Sequence, residues 1–392
     1  MSEFRTIREL CSVVVDCPHS TPKWTANGKI VIRNNNIKHG RIDFSSPSYT
    51  DDEHFAQRIK RAKPQPGDII ITREAPIGDV GMIPENTECC LGQRMVLLRA
   101  NQSVCDNFYL LYSLQSLYVQ HQISWSEGTG TTVSNLRIPH LEQIQIPYLP
   151  LEQQAKISSV LRALEEKIEN NRRLNDNLYE MVNAYYTSLF KDVECEMTTI
   201  GNYAERIYSG GTPTTSNAAY WSGAFGWFSS GETRNRFVIS TEKSITQTGI
   251  DNSSTKLAAK HDIVMASAGQ GFTRGQTSML LIDTYVNQSV IVIHADRKIL
   301  PYLFWNLANR YEELRAISDS SSIRGSLTTK MIAAFEVPLA NNDVIQTFSD
   351  FAWAVIPQIE NNLLENERLA ALRDSLLPKL MSGEIDVSVV QL

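Results

Sequence analysis

Long apolar runs are missing from this chain of 392 residues. No stretch approaches the roughly 18 uncharged apolar residues that a membrane-spanning helix needs. The first residues, Met-Ser-Glu-Phe-Arg-Thr-Ile-Arg-Glu, lack the apolar core of a secretion signal, so a cytoplasmic protein without a membrane partner is expected. Cysteine is scarce. The six residues, at 11, 17, 89, 90, 105 and 195, contain no Cys-x-x-Cys pair and have no histidines at finger spacing, so free thiols are expected and no metal site. Positive charge is not in excess: 37 Lys and Arg face 43 Asp and Glu, a net charge of −6. Segments 1–150 and 151–191 each balance at zero and 192–340 carries −1, whereas 341–392 has three basic against eight acidic residues. Neutral domains can still gather their bases on one face, so the composition permits a nucleic-acid partner without announcing one.

Catalytic signatures are absent as well. There is no Gly-x-x-x-x-Gly-Lys-Ser/Thr phosphate loop, which argues against ATP hydrolysis by this chain. Neither His-Glu-x-x-His, nor Asp/Asn-Pro-Pro-aromatic, nor a Gly-x-Ser-x-Gly elbow occurs. Gly210-Gly211-Thr212-Pro213 and Ser267-Ala268-Gly269-Gln270-Gly271 complete no dinucleotide fingerprint and read as turns. Glu165-Glu166-Lys167 resembles the end of a nuclease Glu-x-Lys motif, but beside Leu164 and Ile168 it reads as a solvated charge cluster on a helix. No catalytic residue is assigned.

What the chain does have is two matching heptad runs. In the first, residues step by 4 and 3 through Ile157, Leu161, Leu164, Ile168, Asn171, Asn175, Leu178, Val182, Tyr185 and Leu189. A constant shift of 191 gives Phe348, Ala352, Val355, Ile359, Asn362, Asn366, Leu369, Arg373, Leu376 and Leu380. An apolar period of 3.5 residues makes a seam that wants a partner helix. The matched Asn171/Asn175 and Asn362/Asn366 predict a fixed register, because a seam Asn is satisfied only opposite another polar group. Two departures stand out: Arg373 replaces Val182, and Pro357 predicts a short helix over 342–356 with the long one starting near 357.

The duplication extends outside the helices. Gly67-Asp68-Ile69-Ile70-Ile71-Thr72 matches His261-Asp262-Ile263-Val264-Met265-Ala266, Gln93 matches Gln288, and Pro147 matches Pro338. Val/Ile-rich runs at 69–72, 80–83, 94–99, 263–266, 278–282 and 289–294 predict strands. Asp106-Asn107 and Pro301 open predicted helices over 108–123 and 302–317. The expected fold is α+β: globular domains 1–150 and 192–340, with helical regions 151–191 and 341–392 forming an antiparallel coiled coil, giving pseudo-two-fold symmetry.

Taken together, these pieces resemble the specificity subunits of type I restriction–modification systems. The resemblance rests on Ile146-Pro147, Pro150-Leu151-Glu152-Gln153-Gln154 running into the first helix, and Leu376-Leu377-Pro378-Lys379-Leu380-Met381-Ser382-Gly383-Glu384-Ile385 at the C-terminus. It rests also on Gly210-Gly211-Thr212-Pro213 with Tyr220-Trp221, and on Gly92-Gln93 after the repeated Asp-Ile strand. Two places depart from the pattern: Ser20-Thr21-Pro22-Lys23-Trp24 opens the first domain, and Leu339-Ala340-Asn341-Asn342 enters the second helix. The resemblance implies a non-catalytic subunit whose two target-recognition domains each read half of a bipartite double-stranded DNA site. It implies that the helices set the spacer and dock two modification (methyltransferase) subunits, with restriction (translocase/endonuclease) subunits added. S-adenosylmethionine, ATP and Mg2+ would then belong to the partner subunits, and this chain would carry no cofactor.

Base edges are read by Arg at guanine and by Gln or Asn at adenine, and phosphates by hydroxyls and cations. Polar loops between strands therefore offer Lys23, Arg73, Gln93 and Arg94 in the first domain. In the second they offer Thr212, Arg234, Arg236, Gln270, Arg274 and Gln276. Gln93 and Gln288 could equally cap backbone groups, and Trp24 and Trp221 are read as core anchors rather than stacking platforms. A coiled-coil scaffold that organises proteins is the competing reading, and a nuclease using Glu165-Glu166-Lys167 a third.

Overall fold

In strands of alternating exposure, neighbouring side chains leave on opposite faces. Strand Ile69–Arg73 pairs antiparallel with Met95–Ala100, within a sheet ordered Cys11–Asp16, Met95–Ala100, Ile69–Arg73, Ile77–Met82. Ile69, Ile71, Val96 and Leu98 enter one apolar cluster, whereas Ile70, Met95 and Leu97 enter another. Because both faces are covered, the segment reads as an unbroken Ile/Val/Leu run. Helices Asn107–Gln115 and Leu117–Trp125 lie on the first face. A small sheet, Ser48–Thr50, Lys29–Ile32, Cys89–Leu91, supplies the second, with Lys29–Ile32 parallel to Cys89–Leu91.

The computed structural model describes residues 3–38, 40–125, 135–190, 196–269, 273–320 and 325–387. The chain divides into two compact units: Met1–Ile168 with Arg368–Leu392, and Glu169–Glu367. The second unit repeats the topology of the first. Its sheet runs Ala204–Ser209, Val290–Ala295, Ile263–Ala266, Thr277–Leu280, Phe237–Val238, and again alternate residues divide between two clusters. Its small sheet again holds a parallel pair, Trp221–Phe228 with Thr284–Val286. Tyr109 and Tyr302 donate their hydroxyls to the carbonyls of Pro147 and Pro338, at 2.8 and 2.7 Å, so even the buried tether of the helix layer is duplicated.

The helix layers correct the sequence reading, since each predicted helix is two. Ser116 ends the first at ψ 146°, donating to Ser113 O at 2.6 Å and accepting from Val119 N at 3.4 Å. Its hydroxyl serves both helix ends, which stabilises a break that hydrophobic spacing does not reveal. The second break falls at Arg310, between Leu300–Asn309 and Tyr311–Ser320.

The two long helices are Leu151–Phe190 and Asn342–Met381, 40 residues each and about 60 Å long. The expected break before Pro357 is not present. Pro357 lies on the exposed side of a continuous helix, where the carbonyl it leaves without an N–H partner can turn to water. Within the first unit Ile157 and Leu161 share a core with Leu380 and Met381. Within the second unit the antiparallel register is explicit. Asn171 Nδ2 donates to Asn366 Oδ1 at 3.0 Å and to Glu365 Oε2 at 2.7 Å, and Asn362 Nδ2 donates to Asn175 Oδ1 at 2.7 Å. Asn175 Nδ2 in turn reaches Ile359 O at 3.3 Å. The strict seam drifts, however: Tyr179, Tyr186 and Phe190 are the buried residues, one step beyond the expected Leu178, Tyr185 and Leu189. A 3.6-residue helix packing on a domain core need not hold a 3.5-residue repeat.

Candidate nucleic-acid interface

In the first unit the segments 17–24 and 91–94, partly buried and partly exposed, are held together by a residue the sequence reading passed over. Arg58, 6% exposed, closes the helix Asp52–Arg58 and points inward beside Phe55. Its guanidinium donates to Leu91 O at 2.7 Å, Gly92 O at 2.8 Å, Ser20 O at 2.9 Å and Pro18 O at 3.2 Å. Burial pulls its pKa down, and the four carbonyls supply the compensation that a buried cation requires. Gln93 adds a fifth tie, donating its amide to His19 O. Gln93 thus caps a backbone carbonyl, one of the two roles its position allowed.

Around this clamp several expected residues are open. Lys23 is 65% exposed and pairs with Asp51 at 3.2 Å. Hydrogen bonds from the backbone and side chain of His54 hold Asp51 down to about 2, with a further contribution from Lys23. Arg94 sits at φ 65°, a conformation uncommon outside glycine, and its half-exposed side chain meets Glu74 at 3.3 Å. Trp24 corrects its assignment as a core anchor: it is 45% exposed, with the Arg33 guanidinium 5.2 Å over its ring. Arg73 departs in the other direction. It ends a strand, is 12% exposed, and binds both Asp16 oxygens at 2.9 Å, Leu136 O at 2.9 Å and Asn135 Oδ1 at 3.1 Å. A guanidinium so committed is a structural clamp and not an open loop side chain.

The second unit builds the equivalent loop differently. A Cβ on Gly210 would stand 1.9 Å from Val286 O, and one on Gly211 2.2 Å from Ser254 Oγ, so close backbone approach requires both glycines. Thr212 then donates its hydroxyl to Gln288 Oε1. Gln93 and Gln288 thus hold corresponding loops by opposite ends of the amide. Trp221 is half-buried, edge-on to Trp227 at 5.0 Å, with Lys243 Nζ 5.8 Å from its ring centroid.

Arg234, Arg236 and Gln276 come together along one groove of about 690 Å³, with Asn175, Asp176 and Tyr179 on its other wall. Buried Glu232 positions the turn, accepting from Ser229 N at 2.8 Å, Ser229 Oγ at 3.0 Å and Glu242 N at 2.9 Å. Arg236 lies 4.2 Å over the Tyr179 ring and 3.5 Å from Asp176, Arg234 pairs with Glu242, and Gln276 Oε1 is buried without a partner. Arg274 is not in this group. It is 12% exposed and bound to Asp319 and to Gly325 O at 2.5 Å, which corrects the expectation of an open loop residue. Gln270 lies outside the described residues.

Glu165 also corrects the sequence reading. Instead of a solvated charge it is 12% exposed, accepting from Tyr112 Oη at 3.1 Å and pairing with Arg373 at 3.6 Å. Among the described residues, no group of three or more His, Cys, Asp or Glu is placed to hold a metal ion, and no helix is long and apolar enough to cross a membrane. The arrangement offers cations, amides and two indole–cation pairs on well-anchored loops, which is chemistry for recognising charged and hydrogen-bonding ligands.

Comparison with known proteins fits that reading. The model of the family described as "Type I restriction modification DNA specificity domain" matches twice, at residues 3–180 and 193–366. The chain is 26% identical over 245 residues to the Escherichia coli type I restriction enzyme EcoR124I/EcoR124II specificity subunit, covering 60% of this chain and 58% of that one. It is 20% identical over 342 residues to the MjaIX specificity subunit of Methanocaldococcus jannaschii, covering 82% and 78%. The chain spans 25% to 58% of the length of two of the curated relatives it matches. Its fold is similar to the crystal structure of a type I restriction–modification system S subunit from M. genitalium, with a TM-score of 0.60, 18% identity, and coverage of 97% and 96%.

Proposed function

Because the chain belongs to the family of type I restriction–modification DNA specificity domains, with that domain present twice, we propose that it is the DNA-recognition subunit of such a system. Each domain reads one half of a bipartite duplex, and the paired helices set the unspecified spacer. The duplication carries this reading: two copies of one fold, with differing loop side chains, suit two different half-sites. A helix of about 60 Å is long enough to carry readers one duplex turn, about 34 Å, apart. The exposed Lys23, Arg94, Arg234 and Arg236 and the partly buried Gln93, Thr212 and Gln276 are the proposed contacts, with Trp24 and Trp221 as stacking or sugar-packing neighbours.

In this reading the chain performs no bond chemistry. Two modification subunits dock on the helices and bring S-adenosylmethionine, and restriction subunits bring ATP- and Mg2+-dependent work, all in the cytoplasm. The decisive experiment is methylome sequencing of cells that carry the chain with its modification subunit, which should show one bipartite motif with a fixed spacer. Duplex binding by the assembled complex should fall steeply as salt rises, through loss of counterion release. A flat salt response with no sequence preference would leave the scaffold reading standing instead.

A further inference from the structure

A duplicated chain has a pairing problem. The shift of 191 takes Asn171 to Asn362 and Asn175 to Asn366, and Asn171 faces Asn366 while Asn175 faces Asn362. Were the first helix to pair with the first helix of a second copy of this chain, Asn171 would again face Asn175. The Asn pairs therefore fix register but do not distinguish the helix's own partner from its like.

One position breaks that degeneracy. The same shift takes Glu165 to Ile356 and Val182 to Arg373. In the first unit Glu165 meets Arg373 at 3.6 Å, at 12% and 23% exposure, with the Tyr112 hydroxyl on the second carboxylate oxygen at 3.1 Å. Arg41 donates to the Glu165 carbonyl at 3.0 Å, and Arg373 also meets exposed Asp374 at 2.8 Å. In the second unit the corresponding Val182 and Ile356 are buried in one apolar cluster, with Trp305 there as well. Pairing of like helices would set Glu165 against Val182 and Arg373 against Ile356, taking from Glu165 its arginine and leaving Arg373 only the exposed Asp374.

We propose that Glu165 and Arg373 are partner-selecting residues, which direct each long helix to the other helix of its own chain and disfavour association with a second copy. Two different recognition domains are thereby kept in one reader, a property independent of DNA binding. The full-length chain tests it directly. Arg373→Val leaves Glu165 facing valine, and Glu165→Ile leaves Arg373 facing isoleucine, the two contacts that like-with-like pairing would create. Each single variant is expected to raise the equilibrium constant for unfolding, read from urea titrations, at least tenfold, and the double variant to restore it, a coupling read by the mutant cycle. Co-refolding of donor- and acceptor-labelled full chains should show interchain energy transfer several-fold higher for E165I/R373V than for wild type, with the charge swap E165R/R373E at the wild-type level. Single variants as stable as wild type, or equal interchain transfer in wild type and E165I/R373V, would overturn the proposal.

Discussion

Replacing Arg58 by Met tests the interface from its foundation. The substitution keeps a long side chain but removes all four hydrogen bonds to the carbonyls of Pro18, Ser20, Leu91 and Gly92. Those at Leu91 and Gly92 are buried bonds, and orphaning a buried acceptor costs about 1–3 kcal/mol each. Relief from desolvating the guanidinium offsets part of this. A net loss of about 2–4 kcal/mol follows, a large share of a domain's stability. Arg58→Lys should recover only part, because one ammonium cannot span carbonyls on two loops. Urea unfolding gives the stability change, and hydrogen exchange of residues 17–24 and 91–94 localises it. In the assembled complex, recognition of the half-site read by the first domain should fail while the second half-site is still read. Arg58→Met within about 0.5 kcal/mol of wild type, the range of ordinary surface substitutions, would refute the clamp.

Asn362→Leu should cost about 1–3 kcal/mol by leaving Asn175 half-buried without its partner, while adding Asn175→Leu should recover the stability but loosen the register; urea midpoints and methylome spacer lengths read the two effects. Lys29 and then Lys63 hold Glu88 down to about 2, so its contribution is present above the ordinary 4.5 and is lost as pH falls from there toward 2. Urea midpoints over that window should therefore fall less steeply for Glu88→Gln. Burial pushes Cys11 and Cys89 up to about 12 and Cys90 to about 11, so a Cys195→Ser chain should show no thiol reacting with Ellman's reagent at pH 8 until it is unfolded. Seven residues inserted within 165–176, with a matching heptad in the second helix, should change the tolerated spacer and leave the half-site bases unaltered in the methylome.

Features that depend on neighbours along the chain were legible in advance. The runs at 69–72 and 263–266 are strands because buried strands need unbroken Ile and Val, and the matched Asn residues pair because a seam amide has few other ways to be satisfied. Interface residues were legible less evenly. Lys23 and Arg236 are open as their loops suggested, but Arg73, Arg274 and Arg58 look no different in sequence from surface bases. Only their three-dimensional surroundings commit them to Asp16, to Asp319 and to a ring of carbonyls. For Arg58 one faint signal existed: it lies three residues after Phe55, on the inward face of a short helix.

Sequence by itself determined the duplication, the strand cores and the pairing of two helical regions through their seam Asn residues, since each is written as spacing, and spacing maps directly onto helix and strand faces. Tertiary structure alone decided which cations are bound and which are open, that Pro357 does not break its helix, and that Glu165 finds Arg373. These outcomes depend on groups distant in the chain but close in space, and on whether water or protein answers a charge or a carbonyl.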